Sequence, residues 1–276
     1  MTEVKSPLSF QSWLAERGEV FKEIKNHDSG NLSFGIKAPD SRRYFVKFAP
    51  AQNKTAVIYL KNACRLSKNV KHPLLADLKS AVNCRDGLAL VYEWIAGDTI
   101  NEVTLKNKHS DRQIRKNPRS SYQRFRSLPV ARMTDILSQI FALHVNLEEK
   151  GYVSSDWYDG CLIYNFASHE LRIIDLDHYS CGPFLNLMGR LYGSSRFMAP
   201  EEFTPGAVID RRTTVYHMGA TVFEFLGTGK DRPEKGFRGS EKQFKTALQA
   251  INEDKRDRYS SVKEFTAEWL KSKNQS

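Results

Sequence analysis

Cysteine is scarce. The 276-residue chain has four, Cys64, Cys84, Cys161 and Cys181, and none belongs to a CxxC pair or a Cys/His cluster. That pattern argues against a zinc site and against a disulfide scaffold, and a reduced, cytoplasmic chain is the simplest expectation. Long apolar runs are missing too: no window approaches the ~18 uncharged apolar residues of a membrane span. The opening MTEVKSPLSFQSWLAERGEV has no apolar signal core. The sequence therefore predicts a soluble protein with no membrane partner. No internal repeat is evident. At 40% hydrophobic and 27% charged, the composition excludes wholesale disorder and collagen-like structure.

Acidic residues are outnumbered, 32 against 42 Lys plus Arg, which leaves a net charge of +10. The surplus is local. Between Lys106 and Arg126 lie Lys106, Lys108, Arg112, Arg115, Lys116, Arg119, Arg124 and Arg126, opposed by Asp111 alone. A single basic segment does not argue for a nucleic-acid-binding fold. Only Tyr122 and Phe125 interleave with the charges, thin for a stacking platform. The segment reads as a solvated loop, or as a site near which an acidic peptide would lie.

The length exceeds one compact unit of ~150 residues and fits either one large enzyme domain or two lobes around a cleft. From 20 to 50, apolar and polar residues alternate around turn signals (VFKEI, LSFGIKA, YFVKFA), the period-2 pattern of an antiparallel meander. TAVIYLKNACRLSKNV then has helical spacing, closed by His72 and Pro73, and LALVYEWI (88–95) is another strand. Later, Met133, Ile136, Leu137, Ile140, Phe141, His144 and Leu147 mark an amphipathic helix over 130–149. Short strands are predicted at 161–165 and 171–175, and helices at 213–226 and 261–271. The expected architecture is α+β: an N-terminal extension (1–19), a small antiparallel β-rich lobe with one helix (20–95) and a larger, mainly helical lobe (96–276).

Three residues carry weak chemical signals: Lys47 in the strand FVKFA, Asp156 in GYVSSDWYDGCLIYN, and Asp175 in RIIDLD, with Asp177 two residues on. Each singly has an ordinary explanation, an edge charge or a turn cap. Three segments nearer the C-terminus are more specific: GSSRFMAPEE, IDRRTTVYHMGATVFEFLGTG and DKRDRYSSVKEF, in that order. From about Phe21 to the end the chain resembles the eukaryotic-like, bacterial-type serine/threonine protein kinases, with a divergent catalytic loop. Ala199, Pro200 and Glu201 match the end of the activation segment. Val215, Tyr216 and Gly219 match the central helix, and Arg258, Tyr259 and Ser261 the last.

The resemblance implies a bilobal protein-kinase-like fold, ATP and Mg2+ as cofactors, and phosphoryl transfer to Ser or Thr hydroxyls of a protein substrate. Lys47 would pair with the α- and β-phosphates, a compact ammonium needing no fork geometry. Asp156 would accept the substrate hydroxyl proton. Asp175 would hold Mg2+, a hard cation preferring carboxylate oxygen, with Asp177 a further metal oxygen. The backbone at Glu93 and Ile95 would meet the adenine, Asp98 the ribose, and Gly30 the phosphates. Glu201 and Arg258 would form a buried ion pair.

The chain also departs from the pattern. Only Gly30 stands in the phosphate-covering loop, KNHDSG. No Asp or Glu occurs between Ala51 and Leu75, so the helix carboxylate that should anchor Lys47 is missing, with Asn62 as a polar substitute. Ser154 and Ser155 replace the His-Arg pair ahead of Asp156, which removes the arginine that reads an activation-segment phosphate. Cys161 replaces the asparagine that holds a second Mg2+, and its thiol suggests redox sensitivity. Asp159 with Asn165 is an alternative base and ligand, with spacing one residue too long. A nucleotide-binding pseudokinase, and a small-molecule kinase of the aminoglycoside or choline kinase type, are the competing functions.

Overall fold

Alternation in the first 100 residues produces a 6-stranded sheet in a computed structural model that describes residues 2–24, 30–101, 115–228 and 232–273. Its strands are β1 (Thr2–Lys5), β2 (Glu19–Ile24), β3 (Leu32–Lys37), β4 (Arg43–Pro50), β5 (Leu78–Cys84) and β6 (Gly87–Glu93), in the order β1-β5-β6-β4-β3-β2. All pairings are antiparallel except β1 on β5. The chain is mixed α and β, an α+β protein, and divides into two compact units: Met1–Ala96 with Arg172–Asp177, and Gly97–Leu171 with His178–Ser276.

In the first unit, period 2 sends successive side chains to opposite faces of the sheet. Phe34, Ile36, Val46, Phe48, Val82, Ala89 and Val91 face one way and pack on Phe10, Trp13 and Leu14 of α1 (Phe10–Ala15). The Phe10 and Phe48 rings stack at 3.9 Å. Ala49, Ala81, Leu88 and Leu90 face the other way and pack on Ala56, Leu60 and Ala63 of α2 (Lys54–Asn69), a helix N-capped by Asn53. The first 19 residues are therefore not an extension. They supply an edge strand and the helix that covers one face of the sheet, because Phe10, Trp13 and Leu14 have nowhere else to bury their apolar area.

The second unit is mainly helical. Its helices are α3 (Ser121–Arg126), α4 (Val130–Glu149), α5 (Arg211–Leu226), α6 (Glu241–Ala250) and α7 (Val262–Lys273). Helix α5 is buried along nearly its whole length and packs against α4, α6 and α7. Short pairings complete the unit. β7 (Asp98–Thr99) lies beside β9 (Leu162–Asn165), β8 (Tyr152–Val153) beside β11 (Ser180–Cys181), and β12 (Phe184–Leu185) beside β13 (Val208–Ile209). The strand expected at 171–175 is β10 (Glu170–Ile173), and it stops before Asp175, whose φ of 62° leaves the extended region.

The basic segment is partly helical. Residues 106–114, including Lys106, Lys108 and Arg112, lie outside the described residues. From Ser120 the chain forms α3, capped by the Ser120 hydroxyl, and buries Tyr122 and Phe125. Those two rings are core residues and no stacking platform. Among the described residues no helix is long and apolar enough to cross a membrane.

Candidate functional site

Lys47 sits in the middle of β4, paired with Ser33 on one side and Leu90 on the other. Val46 and Phe48 face α1, so the Lys47 side chain turns to the α2 face, where it is 9% exposed. Its ammonium donates to Asp175 Oδ1 at 2.6 Å and to Asp177 Oδ2. Both aspartates belong to the same unit because Ile173 bridges to Leu75. The Ile173 amide donates to the Leu74 carbonyl, and the Ala76 amide donates to that of Ile173. The Arg172 guanidinium adds a bond to the Pro73 carbonyl at 2.6 Å.

Two carboxylates share one ammonium here, which leaves an excess negative charge in a poorly solvated place. Burial, together with repulsion from Asp175, pushes the Asp177 carboxyl up to about 6 despite the opposing pull of Lys47. Burial opposes the charge on Lys47, but the two aspartates outweigh it and hold the ammonium well above its ordinary value. Burial and then the Asp177 charge raise the Tyr92 hydroxyl as well. Such a cluster suits a hard divalent cation: its donors are carboxylate oxygens, its excess charge is negative, and the Asp175 side chain is 38% exposed. Among the described residues, no group of three or more His, Cys, Asp or Glu side chains could hold a metal by itself.

The other residues expected at nucleotide have varied surroundings. Gly30 has φ 71°, backbone that favours glycine, and a Cβ there would lie 2.2 Å from Asn53 Nδ2, so a larger residue would displace the side chain that caps α2. The rest of that loop, residues 25–29, lies outside the described residues. The Glu93 carboxylate pairs with Lys79 at 2.8 Å, and its amide donates to the Asp77 carbonyl. Ile95 is partly exposed beyond the end of β6. Asp98, in the second unit, is 44% exposed on its side chain and pairs with Arg124 at 3.1 Å. Asn62 lies off the helix face that meets the sheet.

In the second unit, Asp156 follows β8 on a loop fixed to α5. The Ser154 amide donates to Thr214 Oγ1 at 3.0 Å, the Ser154 hydroxyl bonds His217 Nδ1 at 2.8 Å, and Trp157 Nε1 donates to Thr221 Oγ1 at 2.9 Å. Fully buried Cys161 turns its Sγ toward the Asp156 carbonyl at 3.6 Å. Asp156 has φ 56°, and its side chain keeps 22% exposure with His178 Nε2 at 3.8 Å. Left-handed backbone at a residue other than glycine is uncommon, and it marks both Asp156 and Asp175.

Asp159 has different surroundings. It is fully buried and gripped by Arg196, whose Nη2 meets both carboxylate oxygens at 2.8 Å. Burial raises the Asp159 carboxyl, with Arg196 opposing. Arg196 also pairs with Glu224, which accepts from the Tyr122 hydroxyl at 2.5 Å. A carboxylate so buried and held is closed to a substrate. Trp157 is buried and bonded, and His144 bonds the Ile140 carbonyl and the Tyr179 hydroxyl, so both are packing residues.

The expected ion pair is present. Arg258 Nη1 and Nη2 meet Glu201 Oε1 and Oε2 at 2.7 and 3.0 Å, and Glu201 Oε1 also accepts from Thr213. Sequence reasoning missed Arg196, Thr214, His217, Thr221 and Glu224, yet a signal existed. Thr214, His217, Thr221 and Glu224 recur at helical spacing along an otherwise apolar helix, a polar stripe that must find partners when buried. A scan of family models matches none to this chain, and no curated protein matches it.

Proposed function

We propose that the chain is an ATP-dependent, cytoplasmic protein kinase of bilobal kinase-like fold that transfers the γ-phosphate to Ser or Thr hydroxyls of a protein substrate. The observation that carries the reading is the meeting of Lys47 with Asp175, residues 128 positions apart that sequence had singled out separately. In this reading the Lys47 ammonium neutralises the α- and β-phosphates. Asp175, with its more open carboxylate, holds Mg2+. The metal supplies charge neutralisation to the phosphates when bound. Asp156 takes the hydroxyl proton and orients the oxygen, supported by a partly exposed carboxylate on a loop whose Ser154 and Trp157 are bonded to α5. The Glu201–Arg258 pair ties the segment before α5 to the chain ahead of α7, and the acidic part of a substrate would meet the basic residues around 106–126.

A second reading, a nucleotide-binding pseudokinase, is favoured by Cys161, whose buried thiol meets a carbonyl and offers no second metal oxygen. Thermal unfolding with ATP, with and without Mg2+, tests the nucleotide site. An active kinase is expected to be stabilised most by ATP with Mg2+, and Lys47→Met is expected to lose that shift. No shift in the wild-type protein would refute both readings.

A further inference from the structure

The face that α2 turns to the sheet presents Ala56, Val57, Leu60, Ala63 and Cys64, with no carboxylate to pair with an ammonium. Lys47 faces that side and is nonetheless held. The geometry points to Asp177 as the residue that positions Lys47 in place of a helix carboxylate, an inference that rests on the nucleotide-binding reading of Lys47 above.

Of its two partners, Asp177 is the buried one, 5% exposed on its side chain against 38% for Asp175. The intervening Leu176 is buried too, and the segment is fastened two residues before Asp175 by the Ile173 bridge to Leu75. The chain that delivers Asp177 is thus fixed on both sides of Asp175. A lysine this buried sheds its proton unless an opposite charge stays beside it. Asp177 keeps that charge in place and holds the ammonium at one point on β4. Asp175 keeps 38% of its side chain exposed and is the carboxylate that a cation reaches from solvent. The two aspartates therefore divide the work: Asp177 positions the lysine and Asp175 meets the metal. A helix that supplies only small and apolar side chains can pack closely on the sheet without carrying a charge into it.

The test joins a double-mutant cycle on the full chain to nucleotide titrations. Lys47→Met and Asp177→Leu are each expected to lower the melting temperature, and the double variant to recover most of the loss, because the carboxylate then left without its cation is Asp175, which is partly solvated. Strictly additive losses would overturn the pairing. ADP binding measured in EDTA is expected to weaken about tenfold or more in Asp177→Asn, the equivalent of one charge-assisted hydrogen bond, and similarly in Lys47→Met. The Mg2+ midpoint for ATP binding is expected to stay put in Asp177→Asn and to rise in Asp175→Asn. A midpoint that moves as far in Asp177→Asn as in Asp175→Asn would make Asp177 a metal ligand and overturn the assignment. Wild-type protein that bound no nucleotide would overturn the reading underneath it; the cycle, which needs no nucleotide, separates that failure from failure of the pairing.

Discussion

Replacing Arg258 with alanine removes more than a charge. The guanidinium makes two parallel bonds to Glu201 and donates to the carbonyls of Asn252, Arg212 and Glu253 at 2.7, 3.2 and 3.2 Å. It also lies 4.9 Å from the centre of the Tyr216 ring. Its side chain is fully buried, and that of Glu201 is 9% exposed. Stranding one member of such a pair costs about 3–5 kcal/mol. At roughly 2–4 °C per kcal/mol for a unit of this size, Arg258→Ala should melt about 6–20 °C below wild type in calorimetry. Arg258→Met with Glu201→Leu should recover much of the loss, since no charge is then left buried. The pair also sets a pH dependence. Burial pushes the Glu201 carboxyl up, but the Arg258 hydrogen bonds and charge outweigh it and hold the group below its ordinary value. The stability it contributes is therefore present above the unfolded value of about 4.3 and is lost as pH falls through the lower folded value. The gap between wild type and Arg258→Ala should be full at neutral pH and close as pH falls, first through the Glu201 value that burial raises in the variant and then through the lowered value in wild type. A melting point within about 1 °C of wild type at neutral pH would refute the reasoning.

The second unit and the cysteines give three more expected outcomes. Arg196→Ala leaves Asp159 and Glu224 buried without their cation, and urea unfolding should show a loss of about 3–5 kcal/mol; an unchanged midpoint would contradict the network. Gly219→Val forces a Cβ to within 2.7 Å of Ala250 Cβ and 2.8 Å of Ile251 Cγ2, so α5 and α6 must separate. About 1–3 kcal/mol of overpacking should appear in the same assay, and Gly219→Ala should cost less. In native protein, iodoacetamide followed by mass spectrometry should find exposed Cys181 modified and fully buried Cys161 unmodified until denaturant is added. Cys84 should be slow at neutral pH, since burial, with the Asp86 charge adding, pushes its thiol up to about 11. Early labelling of Cys161 would restore the redox sensitivity that its burial argues against.

Where the sequence was legible, one physical signal dominated. The helix expected at 130–149 is α4, because its apolar residues keep helical spacing between Pro129 and Gly151. The meander was readable for the same reason, with period 2 in place of 3.6. β1 was not: TEVK is polar, nearly all of it exposed, and it is a strand only because β5 offers an edge. α1 is six residues long, too short for periodicity to show. α3 was hidden in a run of charge whose buried Tyr122 and Phe125 looked like ornaments of a loop. At the site, Lys47 was legible as a position but its partners were not. Nothing local relates a strand lysine to a carboxylate more than 120 residues on, and the missing acid in α2 gave only the negative half of the answer.

Transfer of labelled γ-phosphate from Mg-ATP to a mixture of Ser- and Thr-containing acidic and neutral peptides measures the proposed activity itself. Wild type should incorporate label into the peptides, and Asp156→Asn should lose incorporation by about 100-fold or more while still binding ATP. Equal incorporation by the two proteins would contradict the account.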